Sequence, residues 1–104
     1  MYARVVTIRV RPERMEECIA IVRERNAPSI AAQPGFHHGH WFVDRASGTA
    51  TSVTFWTDAA GERASRANIP GLVQRMAEVL ASEEVDQETF EVVHDQYPPG
   101  RSAE

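Results

Sequence analysis

Apolar and polar side chains alternate along "ARVVTIRV", which puts Val6, Ile8 and Val10 on one face and Val5, Thr7 and Arg9 on the other. A period of two is that of a strand with one face buried. After Pro12, which suits a first helical turn, the period changes. Met15, Cys18, Ile19 and Val22 recur at three- and four-residue steps, the stripe of an amphipathic helix. Glu13, Glu16 and Glu17 favour the positive end of that helix. Pro28 is expected to kink or interrupt it, with Ile30 continuing the apolar face and Pro34-Gly35 ending the unit.

Two runs rich in β-formers follow, "FHHGHWFV" and "TATSVTFW", joined by a short loop containing "RASG", which reads as a hairpin. Thr57 or Asp58 is placed to cap the next helix. That helix carries Ala60, Ala64 and Ala67, breaks near Ile69-Pro70-Gly71, and resumes through Leu72, Val73, Met76, Val79 and Leu80. "TFEVVHDQY" alternates again as a last strand, and Pro98-Pro99-Gly100 opens a polar tail expected to be disordered. The order strand, helix, strand, strand, helix, strand predicts an α+β ferredoxin-like split βαβ over residues 1–97, with a tail over 98–104. Its four-stranded antiparallel sheet carries both helices on one face.

That arrangement leaves the other sheet face bare. Neighbouring strand residues point to opposite faces, so either Trp41 or Phe42 must lie on it, and either Phe55 or Trp56. Large aromatics on an open face mark a partner surface, and a homodimer closed sheet to sheet is the expected partner. Eleven basic against fifteen acidic side chains, a net charge of −4, disfavour a nucleic acid or an anionic membrane. No apolar run approaches a membrane span or a signal peptide, so a cytoplasmic location is expected. The single cysteine, Cys18, sits in the helical stripe beside Glu16 and Glu17 and reads as a buried, inert thiol. Walker, dinucleotide, serine-nucleophile and CxxC motifs are absent from the chain.

With these elements placed, the chain resembles the antibiotic biosynthesis monooxygenase superfamily of dimeric α/β barrels. The resemblance runs from "YARVVTIRV" to "FEVVHDQY" and rests on "QPGF" opening the second strand and "VTFWTDAA" running from the third strand into the second helix. It implies a pocket in each subunit between sheet and helices. It also implies one of several activities: oxidation of polycyclic aromatic substrates by dioxygen without metal or flavin, haem breakdown, or isomerisation or decarboxylation of small ring compounds. The positions that the haem-degrading members use for Asn, Trp and axial His fall near Val6, Ser65 and Arg75, and none matches. Haem breakdown is therefore the third choice. A cofactor-independent monooxygenase acting on an aromatic or polyketide-like molecule is the first, and a non-catalytic binding or accessory protein of the same fold is the second.

The histidines of "HHGH" are the candidate bases. On a strand His38 and His40 share one face and His37 takes the other, so whichever set meets the helices could take a proton from an acidic phenol or anthrone. The same pair could chelate a metal, but a third ligand is needed, and the topology puts the last strand, with His94 and Asp95, at the far edge. No metal and no cofactor are expected. Trp56 at a strand end, Phe55, Trp41 and Asn68 beside the helix break are the candidate contacts for a small apolar or aromatic ligand.

Overall fold

The structure, a computed structural model, describes residues 1–101. Its strands are β1 (Tyr2–Val10), β2 (Phe36–Asp44), β3 (Thr49–Trp56) and β4 (Leu80–Glu91), all antiparallel in the order β2-β3-β1-β4. This is the ferredoxin-like fold expected from the alternation of elements, with β2 and β4 at opposite edges. Register assigns the faces. Val6 pairs with Ser52 and Ile8 with Ala50, while Trp41 pairs with Ser52, so these residues share the helix-covered face. Phe55 pairs with both Ala3 and His38, and these three occupy the open face.

The first helical arm covers 15–31. It runs as an α-helix over Met15–Ile21, widens to a π-helical turn over Val22–Asn26, and returns to α over Ala27–Ala31. The sequence predicts a kink or interruption at Pro28, but the arm continues through it. Proline has no N–H for the carbonyl four residues back, and the widened turn absorbs the mismatch, with Ala27 N–H donating to the Val22 carbonyl instead.

The second arm covers 59–74 as Ala59–Ser65, a 3₁₀ turn over Arg66–Asn68, and Ile69–Gln74. Of the two candidate caps, Asp58 is the one used, accepting from Gly61 N–H at 2.6 Å. The helix does not reach Leu80 as its periodicity suggests. Met76 and Val79 are buried, but turns bonded three residues apart carry them, and Leu80 already belongs to β4.

β4 also begins well before "TFEVVHDQY". It is an edge strand, and most of "SEEVDQE" stands in water, so it lacks the apolar alternation that marks a buried strand. At its end Val92 N–H donates to the Met1 carbonyl at 2.8 Å. His94 and Asp95, expected on the last strand, therefore lie beyond it. The tail expected over 98–104 falls partly on residues 102–104, outside the described residues. At its start Arg101 N–H closes a turn onto the Pro98 carbonyl at 3.0 Å.

The main core lies at one end of the helix-covered face, where Ile8, Val10, Met15, Cys18, Met76 and Val79 are buried together. Burial pushes the Cys18 thiol up, in keeping with an inert side chain. Among the described residues no helix is long and apolar enough to cross a membrane.

Candidate functional site

A second buried cluster, this one polar, closes the other end of the same face. Arg4 of β1 is only 2% exposed; its guanidinium donates to the Glu62 carbonyl and carboxylate, both at 3.3 Å, and to Ser65 Oγ. Its charge lies 5.0 Å from the ring of Trp56, which is fully buried and donates from Nε1 to Thr54 Oγ1 at 3.0 Å. Glu62 is shared, because Arg66 donates to both of its oxygens. The Arg66 hydrogen bond is the main reason the Glu62 carboxyl is held below the usual carboxylate range. Desolvation, only partly offset by Glu62, pushes the Arg4 guanidinium down.

Between the apolar end and the ionic end the sheet presents small side chains, Ala50 and Ser52, and the helical arms do not fill the gap. A cavity of about 320 Å³ remains. Val6, Ile8, Ile30, Leu72 and Met76 supply apolar walls, and Trp41 closes one side. Gly39 makes room for that indole: a Cβ built there would lie 2.9 Å from two Trp41 ring carbons. The glycine of "HHGH" thus serves the tryptophan that follows it.

The titratable groups bordering the cavity are Arg4, Arg23 and Arg45; no carboxylate or imidazole borders it among the described residues. Asn26 enters from the widened turn of the first arm. It is 6% exposed, its amide donates to the Leu72 carbonyl at 3.4 Å, and its Oδ1 has no partner. Arg4 Nε is likewise buried without a partner. Sequence reasoning leaves Arg4 unassigned and misses Asn26; the one available signal is the Asn two residues before Pro28, where a helix must distort.

Of the expected contacts, Trp41 alone borders the cavity. Trp56 lies beneath Arg4, and Phe55 faces the other side of the sheet. Asn68 is exposed and donates to Gln33 Oε1 at 3.0 Å, tying the two arms together.

The histidines stand on the side away from the helices. His38 stacks on Phe55 with ring centroids 4.3 Å apart, and His40 meets the same ring edge-on at 6.3 Å. His37 sits where the register slips between Phe36 and His38, and its Nδ1 lies 2.6 Å from His38 Nδ1. None of the three borders the cavity. Desolvation, aided by His37 and His40, holds His38 below the usual imidazole value, against a smaller opposing pull from Asp95. Among the described residues no group of three potential ligands is arranged to hold a metal.

A ferredoxin-like sheet with a partly open, mostly apolar cavity under its helices is the candidate site for a small molecule. Its sequence gives the class a name: residues 1–68 match the family model of antibiotic biosynthesis monooxygenases, and the chain belongs to that family. No curated protein matches it in sequence. Solved structures share the fold. One is a mutant of SnoaB from Streptomyces nogalater, a cofactor-independent oxygenase. It is 19% identical with a TM-score of 0.67, and the match covers 90% of this chain and 94% of that one. Another is a monooxygenase from the ActVA-Orf6 gene of Streptomyces coelicolor in complex with nanaomycin D. It is 14% identical with a TM-score of 0.71, and the match covers 93% and 91%. NE2512 from Nitrosomonas europaea, a protein of unknown function, is 22% identical with a TM-score of 0.70, covering 95% of each chain. Family membership supports monooxygenase-type function in general, and the solved structures show the shared fold.

Proposed function

We propose that this protein is a cofactor-independent monooxygenase that oxidises an aromatic or polyketide-like small molecule held in the cavity between sheet and helices. The observation that carries this reading is the cavity itself, apolar-walled, closed on one side by Trp41 and floored by a buried guanidinium. A polycyclic enol or anthrone supplies its own electrons once ionised. The ring carbanion forms a C–O bond to dioxygen, reducing it to a peroxide that takes a proton from solvent. Loss of water then breaks the O–O bond while the ring C–H proton leaves, so that R₂CH₂ and O₂ give R₂C=O and H₂O. The cavity's part is to exclude water, orient the rings and stabilise the oxyanion.

The same proposal takes the protein as a homodimer closed through the open sheet face. Phe42 is 53% exposed and Phe90 49%, on strands at opposite edges of that face, with His38, His40 and Phe55 among the side chains it also carries. The histidines belong to that interface in this reading, and the ligand contacts are Trp41, Asn26 and Arg4.

A non-catalytic ligand-binding protein is the second reading, favoured by the absence of an imidazole or carboxylate among the described residues bordering the cavity. Dioxygen uptake with a model anthrone, on chelator-treated protein, separates the two. One O₂ consumed per ketone formed, above the buffer rate, supports the oxygenase; binding of the anthrone with no uptake supports the binding protein.

A further inference from the structure

Among the described residues, every charged side chain bordering the cavity is a cation, in a chain whose net charge is −4. Arg45 is paired on the surface with Glu16, and Arg23 stands exposed. Arg4 is different. It is buried, and its one acidic partner, Glu62, is engaged by both Arg4 and Arg66. Two guanidinium charges therefore face one carboxylate, and only the Arg66 end reaches water, with Arg66 43% exposed against 2% for Arg4. A buried cation short of its counter-charge, with Nε unpaired, is a costly arrangement unless something anionic completes it.

Resting on the reading of the cavity as the ligand site, we propose that it takes its ligand as an anion: an apolar ring compound ionised at one oxygen, bound at the Arg4 guanidinium. The Asn26 amide, once turned toward the cavity, accepts a hydrogen bond at Oδ1 from a second hydroxyl on the same ligand. Phenolates, enolates and ring carboxylates share this chemistry. A cavity bordered by no base among the described residues does not generate the anion; it selects the ionised form from solution and holds it. Arginine suits this, since it stays charged at any working pH and presents directed N–H groups to an oxyanion. An amide held by one 3.4 Å bond turns readily onto a ligand.

The test uses the intact protein and three probes: anthraquinone, 2-hydroxyanthraquinone and anthraquinone-2-carboxylate. Affinity is read from quenching of tryptophan fluorescence, and ionisation of the bound phenol from its visible absorbance as pH is varied. The phenolate is expected to bind at least about tenfold tighter than the neutral phenol, so that the bound phenol ionises about one pH unit or more below the free one. Arg4→Gln abolishes both effects and Arg4→Lys restores part of them. If Arg4→Gln does not fold, the wild-type comparison of ionised and neutral probes still decides. A tight carboxylate with a weak phenolate assigns the anion to a ring acid, and the reverse to a phenol; either supports the proposal.

Affinity for both ionised probes no greater than for anthraquinone, with an unshifted phenol, overturns it. The cavity-filling variant Val22→Trp tells the two failures apart. If it abolishes probe binding while charge makes no difference, the cavity reading stands and the anion proposal falls. If it leaves binding unchanged, or no probe binds the wild type, both fall.

Discussion

The Trp41 indole folds back over Gly39 so closely that a Cβ on the glycine would lie 2.9 Å from the ring. Both atoms in conflict are ring carbons of a side chain that borders the cavity, so relief must move the indole. Gly39→Ala is expected to destabilise the fold by about 1–3 kcal/mol through overpacking. It should also shift the tryptophan emission and weaken binding of an aromatic ligand. Thermal melts and fluorescence spectra check this; an unchanged spectrum would mean the ring has room to spare.

Asn26 carries a cost in the empty protein, because its Oδ1 is buried without a partner. Asn26→Leu removes that cost and should raise stability by about 1 kcal/mol, or leave it unchanged. The same substitution should weaken binding of a dihydroxylated ring ligand severalfold more than that of its monohydroxylated counterpart. Opposite signs for stability and affinity are the signature of a polar group kept for a ligand. A loss of stability would make Asn26 a purely structural residue bonded to the Leu72 carbonyl.

Glu62 gives the fold a dependence on acid. Its folded carboxyl is held below the unfolded value of about 4.3, mainly by Arg66, so the unfolded chain takes up the proton first as pH falls. The stabilisation is fully present above that pH and is lost as pH falls through the folded value. Glu62→Gln, which strands the Arg4 guanidinium, should cost about 3–5 kcal/mol at neutral pH and flatten this part of the acid titration. Denaturant unfolding between about pH 3 and 7 measures both effects.

The open face should behave as an interface. Phe42→Glu or Phe90→Glu places a carboxylate on it and is expected to convert a dimer to monomer in light scattering, with the fold retained by circular dichroism. His38 is held below its usual value by desolvation first, so protonation disfavours its packed position. The stability of the fold, read by denaturant unfolding, should therefore fall as pH drops below about 6.5, the ordinary value for the unfolded chain. A dimer indifferent to either substitution would place the interface elsewhere.

The alternation in "ARVVTIRV" and the helical stripe from Met15 to Val22 are enough to give the topology, because each element buries one face and its period reports that face. β4 escapes the same reading for the complementary reason: an edge strand in water has little apolar period. The site is less legible. Parity on β2 is set by the register slip between Phe36 and His38, which no local pattern encodes, so sequence leaves open whether the histidines or Trp41 face the helices. Arg4 looks like an ordinary strand arginine because its partners, Glu62 and Ser65, are more than fifty positions away. Asn26 owes its place to a helical distortion whose cause, Pro28, is visible in the sequence but whose form is not.

The central claim is that chemistry takes place under the helices and not on the face that carries the histidines. Dioxygen uptake with a model anthrone, comparing Val22→Trp with the double variant His38→Ala/His40→Ala, tests it most directly. The account predicts that Val22→Trp abolishes uptake while the double histidine variant, kept at a concentration where it is dimeric, retains most of it. Uptake that survives a filled cavity but is lost with the histidines would contradict the account and move the site to the open face.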